Sequence, residues 1–555
     1  MPIENKEESG FCEICKAPSK RKCSACKLIF YCSTEHHQEH WKEHKTTCRP
    51  FEEAYSKELG RYLKATRDLS PGEIIFSETP LVFGPKPHHI EEGPFPCVGC
   101  CRLLSDQMCE RCPGCLWPIC NLNCEGLKVA NYHGFECNIL RLRPPSEIKS
   151  FYNFYRFDVL IILRALYLQQ ANPKKWDIMM KLEDHIECRG PHTEIFKAVQ
   201  EKIQILEDNY LKPLKDYEKE IGQLIIPKVS PDIIHRIYGI LDVNATELTE
   251  DIDAMILYGT SSILEHSCVP NVMQLIDEKE NFKITIRAAL PIEKDDHISS
   301  IYTHILWGTA ARRDHLLQTK YFKCKCRRCQ DSTELGTYIS GLKCIGGIEG
   351  SPCGGLQLPV NPTLEEGAWE CGKCKIRLPE KDILKFVSHL GDEVDKLMSK
   401  IPHLRELEDI LSKLLYFLHP NHYLVYNIKH SLVQLLGTEE NVEYTVDDWI
   451  KKLNLCEELI NITKTIDPGN ARLSLYLGVL LNELFIAQFK ILSRTWNNPT
   501  QNLYTEQLKS DILRTIEENK KTLAYEQKTV SGSKLYEVVI RNEQTFKNWS
   551  EGNAK

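Results

Sequence analysis

Residues 261–271 read SSILEHSCVPN. A short apolar run ends in an acid, Glu265, followed at once by His266, Ser267, Cys268, Val269, Pro270 and Asn271. Cys268 needs partners before the rest can be read. Residues 324–329 read CKCRRC, and three cysteines that close together cannot complete a metal tetrahedron alone. They need a fourth ligand from elsewhere in the chain, and Cys268 is available. Cys268, Cys324, Cys326 and Cys329 are therefore one candidate zinc site, which ties this stretch to the segment beyond it.

The chain has 555 residues, 25 of them cysteine, and a formal charge of −7. At roughly 100–200 residues per domain, that length predicts about three to five domains. The start, MPIENKEESGF, is polar and shows no apolar signal region, and runs such as VLIILRALYL are too short and too charged to span a bilayer. An intracellular protein with reduced thiols is expected, without a membrane partner. In that setting Cys-x-x-Cys spacing means metal far more often than disulfide.

Residues 12–48 supply four pairs: Cys12/Cys15, Cys23/Cys26, Cys32 with His36, and His44 with Cys48. His37 and His40 stand beside His36 as alternative ligands. Residues 97–137 repeat the plan with Cys97/Cys100, Cys112/Cys115, Cys120/Cys124 and His133/Cys137. Cys344, Cys353, Cys371 and Cys374 form a further knuckle, leaving Cys101, Cys109, Cys188 and Cys456 over. Four ligands to an ion imply about six structural zincs.

Elsewhere the patterning is plainer. Residues 59–83 and 282–302 each read as strand, turn, strand, with RPFEEAYSKE as a connector ahead of them. Residues 139–230 carry apolar residues at three- and four-residue spacing and predict a helical insert. From 381 to 550 successive amphipathic helices suggest a stack of tetratricopeptide (TPR) type. The expected divisions are a finger at 10–50, strands at 55–95, a second finger at 96–138, the insert at 139–230, a core at 231–330, the knuckle at 335–380 and the helical stack at 381–550. The fold class is α+β and multidomain.

These pieces in this order resemble the SET and MYND domain (SMYD) family of protein lysine methyltransferases. The extra first finger and the late knuckle are more like an arthropod branch of it. The resemblance implies a SET β-fold split by a finger, and interleaved finger ligands. Cys12, Cys15, Cys32 and His36 would hold one ion, and Cys23, Cys26, His44 and Cys48 the other. EHSCVPN stands at the family's Asn-His-Ser-Cys-x-Pro-Asn, and GRYL at its Gly-x-Gly-Leu cofactor turn. S-adenosylmethionine is the implied cofactor. Gly60, Arg61, Tyr62, Asn244, Glu265, His266, Tyr302 and Phe322 would line its pocket, with Tyr302 the catalytic tyrosine. The implied partners are a protein substrate with a target lysine and peptides gripped by the fingers and the helical stack. A monomer in cytoplasm and nucleus is expected.

Two departures bear on activity. Lys320 stands where some relatives have a second channel tyrosine, and a cation there opposes an incoming ammonium unless it points away. Glu265 replaces an asparagine; a carboxylate cannot donate and repels the cofactor's carboxylate. Taken alone, that misfit costs about 1–3 kcal/mol. The alternative is a SET and MYND scaffold with little or no catalysis. A DNA-binding zinc protein is disfavoured, because the basic run KRK at 20–22 is short and no finger has Cys2His2 spacing with a recognition helix.

Overall fold

The first strand is one that the sequence disguises. In the computed structural model, which describes residues 10–23, 29–87, 94–104, 109–128, 133–142, 156–249, 251–346, 353–365, 367–438, 442–496 and 502–553, the expected connector is strand β1 (Phe51–Ser56). It pairs antiparallel along its whole length with β2 (Gly60–Ala65). None of its residues is fully buried and Tyr55 is 73% exposed, so an edge strand with one partner shows no apolar alternation to read.

The remaining strands of the β-region are β3 (Ile74–Glu78), β4 (Val82–Gly84), β5 (Thr246–Leu248), β6 (Ala254–Leu257), β7 (Glu265–His266), β8 (Val272–Asp277), β9 (Lys283–Ala288) and β10 (His297–Ser300). They form three small sheets, ordered β7-β10-β2-β1, β8-β9-β3 and β5-β6-β4. Each sheet joins strands from before residue 85 to strands from after residue 245. Their inward faces bury Leu63, Phe83, Ile256, Leu264, Ile286 and Ile298 in one cluster.

Helix α1 (Thr34–Cys48) lies in the first finger, and between the two groups of strands lie the second finger and a helical insert that includes α2 (Leu160–Ala171) and α3 (Pro231–Asn244). Helical structure thus runs past the expected end at 230. The start of α3 is marked by Ser230, whose side chain accepts the Ile233 N–H, followed by a proline in the first turn. Beyond β10 comes α4 (Thr309–Lys320), then the knuckle sheet and the helices α5 (Glu380–Met398), α6 (Leu404–Phe417), α7 (Tyr423–Leu435), α8 (Val446–Ile466), α9 (Ser474–Thr495), α10 (Asn502–Thr522) and α11 (Val530–Gly552). The knuckle's Trp369 and Leu342 share one buried cluster with these helices. Helix α9 is long and apolar enough to cross a membrane, but Leu477, Leu480, Leu481, Ile491 and Leu492 are buried against its neighbours.

The C-terminal helices return to the β-sheets at one turn. The Arg287 guanidinium on β9 lies 4.7 Å from the centre of the Tyr525 ring and donates to the Gly72 carbonyl at 2.8 Å. Gly72 has φ +84°, and a Cβ there would stand 2.4 Å from the Tyr525 hydroxyl. Gly72→Ala is therefore expected to cost about 1–3 kcal/mol. The measurement is thermal melting, and in a Tyr525→Phe background the loss should shrink to the backbone part.

Candidate functional site

Three aromatic rings stand at the end of β10. Tyr302 lies two residues past the strand, and its backbone N–H donates to His266 Nδ1 at 3.0 Å. That bond leaves Nε2 as the protonated nitrogen, 3.3 Å from the Cys268 sulfur. The His266 ring centre lies 5.3 Å from Tyr302 and 5.7 Å from Phe322. The Tyr302 hydroxyl donates to the Leu264 carbonyl. Burial pushes its phenol above the ordinary value, and the Glu265 carboxylate adds to the rise. Tyr302 and Phe322 pack against Cys268, Cys324 and Cys329, so the ring wall rests on a thiol cluster.

The segment carrying these groups is itself anchored. Glu78 on β3 accepts the Thr260 N–H at 3.0 Å and the Ser261 N–H at 2.6 Å, holding the short turn Ser261–Ile263 that leads to Leu264. Asn271 accepts the Ser299 N–H at 2.8 Å and donates to the His297 carbonyl at 2.8 Å. One side-chain amide thus pins β10 beside the motif.

The expected cofactor residues do not all face one way. Gly60 opens the turn with φ +70°, and a Cβ added there would meet nothing within 4 Å, so the turn has open space beside it. Arg61 donates to the Lys181 carbonyl at 2.7 Å. Tyr62 stacks on His297, to which Glu265 is hydrogen-bonded. Asn244 donates to the Glu183 and Ile240 carbonyls, both at 2.7 Å. The Lys320 ammonium donates to the Asp242 and Val243 carbonyls at 3.0 and 2.7 Å, at the C-terminal end of α3. Burial lowers its pKa.

The segment 181–185 was missed by sequence reasoning. Arg61 reaches Lys181, Asn244 reaches Glu183, and the His185 ring lies 4.9 Å from Tyr321. It therefore bridges the GRYL turn, the end of α3 and the segment before Phe322. Its only trace in the sequence is LEDHIECRG, a charged break between two helical patterns.

The thiols gather in fours. Among the described residues, the sets whose ligand atoms all lie within 4.8 Å of one another include Cys12, Cys15, Cys32 and His36; Cys97, Cys100, Cys120 and Cys124; Cys112, Cys115, His133 and Cys137; Cys268, Cys324, Cys326 and Cys329; and Cys344, Cys353, Cys371 and Cys374. A zinc–sulfur bond of about 2.3 Å gives tetrahedron edges of about 3.8 Å. Sulfur pairs here lie 3.4 Å (Cys15–Cys32), 3.5 Å (Cys268–Cys329), 3.8 Å (Cys97–Cys124) and 4.0 Å (Cys268–Cys324) apart, which fits that ion. For the sixth site, Cys23 and Cys48 are 3.5 Å apart and His44 is buried, while Cys26 lies outside the described residues. His36 Nδ1 is 3.0 Å from the Cys32 sulfur, whereas His40 meets the Tyr31 hydroxyl and His37 packs at a tilt against its ring. Cys101 and Cys456 sit in apolar cores.

Buried arginines lock two of these clusters to the body. Glu136 meets His133 Nδ1 at 3.2 Å and receives Arg164 Nε and Nη2 at 2.9 and 2.8 Å. Arg164 also donates to the Phe83 and Val98 carbonyls. At the other cluster, Arg312 Nε lies 3.2 Å from the Cys268 sulfur, and Arg312 and Arg328 both pair with Glu334. Burial alone would raise the Glu334 carboxyl; the Arg312 and Arg328 charges outweigh it and hold it at about 2. The knuckle braces the same region: Arg313 on α4 donates to the Pro362 and Thr363 carbonyls at 2.8 and 3.0 Å, and Lys323, next to Phe322, pairs with Glu365.

The family model described as MYND finger matches residues 12–48, and that described as SET domain matches residues 60–303. The chain is similar to SET domain-containing protein SmydA-8, isoform A, of Drosophila melanogaster, 25% identical over 430 residues, 75% of this chain and 84% of that one. It is similar to Histone-lysine N-methyltransferase ASHR1 of Arabidopsis thaliana, 23% identical over 424 residues, 74% and 81% of the two chains. N-lysine methyltransferase SMYD2 of Rattus norvegicus is 24% identical over 286 residues, 49% of this chain and 58% of that one.

Glu136→Ala strands the fully buried Arg164 charge and frees the His133 ring. The expected cost is about 3–5 kcal/mol, read as a lower melting temperature. Zinc should also pass to a competing chelator about 10- to 100-fold more readily.

Proposed function

On the premise that this chain belongs to the SET and MYND domain (SMYD) family, we propose that it is an S-adenosylmethionine-dependent protein-lysine methyltransferase. The observation that carries the reading is the ring wall of His266, Tyr302 and Phe322, seated on the Cys268 thiol cluster. The cofactor supplies a methyl group activated on a sulfonium. Everything else falls to the chain. The open turn at Gly60 leaves room beside it, and the Phe322 and His266 rings offer an apolar flank. Transfer needs a neutral amine held in line with the methyl. Lysine starts near pKa 10.4, and a dry ring-lined channel disfavours its ammonium.

Tyr302 orients and does not take the proton. Its phenol is pushed above an already high ordinary value, so it stays protonated at neutral pH. Its hydroxyl hydrogen is committed to the Leu264 carbonyl, which leaves the oxygen lone pairs free to accept from the target amine. The zincs are structural: they hold the segment from Cys324 to Cys329 against the rings and contribute folding energy.

The substrates we propose are histone or other protein lysines, in regulation of gene expression in nucleus and cytoplasm. The fingers and C-terminal helices gather peptide partners. A scaffold without catalysis is the second reading, and the Tyr62 ring at the cofactor turn is what favours it.

Calorimetry separates the two. S-adenosylmethionine should bind the native chain, and Tyr302→Phe should keep that binding while losing methylation of a peptide or histone mixture. Absence of binding would leave the scaffold. Elemental analysis of the purified chain should give about six zincs per molecule; a ratio near five would remove the late knuckle from the metal count, and one near four would remove a finger.

A further inference from the structure

Three side chains around the cofactor turn belong to one face of one sheet. Glu265 lies opposite Ser299 in the parallel β7–β10 pair, and His297 is two residues before Ser299. Across the antiparallel β10–β2 pair, Ile298 is opposite Leu63 and His297 opposite Lys64. Alternation along a strand then puts Glu265, His297 and Tyr62 on the same side. They are in contact there. His297 Nδ1 donates to the Glu265 carboxylate, and the His297 ring stacks on Tyr62 with centroids 4.3 Å apart and planes inclined by 28°.

We propose that Glu265 is a positioning residue for cofactor binding that acts through His297 on Tyr62, the three side chains forming one wall of the pocket. The proposal rests on the methyltransferase reading above. A tyrosine ring at a turn where the family has glycine needs a surface to lie on, or it swings into the space beside Gly60. The imidazole supplies that surface. The carboxylate fixes which nitrogen of the imidazole carries its proton and how the ring is turned. The same hydrogen bond gives the carboxylate a donor partner. Glu265 is thus part of a compensated set, and exchanging it alone for the family's asparagine leaves His297 and Tyr62 without their anchor.

The test is a double-mutant cycle on S-adenosylmethionine affinity, measured by calorimetry on the full zinc-loaded chain. Glu265→Gln and His297→Gln should each weaken binding about five- to tenfold, and the double variant should be no weaker than the worse single, because one linkage is being cut twice. Tyr62→Ala should lose as much, and Tyr62→Phe, which keeps the ring, should recover most of that loss. Losses that multiply in the double variant overturn the proposal, as does tighter binding by Glu265→Gln alone. Where a Gln variant melts early or loses zinc, Glu265→Asp takes its place in the cycle, with the same two outcomes decisive. No binding by the native chain overturns the methyltransferase reading and this role together. Binding by the native chain with multiplying losses overturns this role alone.

Discussion

The sulfur of Cys268 joins two segments that lie far apart in sequence. It sits 4.0 Å from Cys324 and 3.5 Å from Cys329 on one side and within reach of His266 and Arg312 on the other. A zinc at this cluster fixes the segment around Phe322 against the stretch that holds Leu264, His266 and, through a backbone bond, Tyr302. Without that joint the ring wall has no second side. Four thiolates around one divalent cation carry net negative charge in a buried place. The guanidinium of Arg312 lies against two of the sulfurs and disperses that charge, while Glu334 compensates the arginines in turn.

The second finger uses the same device with the signs arranged differently. There the carboxylate of Glu136 touches the histidine ligand and the arginine comes from α2. In both places the fully buried charges come in groups whose members all have hydrogen-bond partners, which is the condition under which such burial is tolerated. Both arginines also bond to backbone carbonyls of the surrounding fold. A metal cluster that would otherwise be a local knot of loops becomes continuous with the core.

How far the sequence could be read follows from the range of each interaction. Cys-x-x-Cys spacing is local, so the thiol sets at 97–137 and 344–374 could be grouped from the chain alone, and β2, β3, β9 and β10 fall in the two stretches that read as strand, turn, strand. Strand β1 could not be seen, because one neighbour and an exposed outer face demand no apolar residues of it. Lys320 was legible as a cation but not by direction: what it satisfies are carbonyls of α3, nearly eighty residues earlier. Glu265 showed the same limit. Its chemistry was plain from its position in the motif, but its partner His297 is set by a parallel strand pairing that no local pattern encodes.

The split of the β-region has a consequence during synthesis. Strands β2 to β4 leave the ribosome well before β6 to β10, and at 5–20 residues per second they wait about 10–50 s for their partners. Unpaired strand edges in that interval invite association with other chains. What emerges first is the second finger and then α2, and α2 already has a grip on the waiting strands: Arg164 holds the Phe83 carbonyl at 3.0 Å, and Gly84 lies so close to Ile161 that a Cβ would stand 3.0 Å from it. The insert, which contributes few groups to the ring wall, thus offers β4, the last of the early strands, a packing partner before the late strands arrive to complete the sheets.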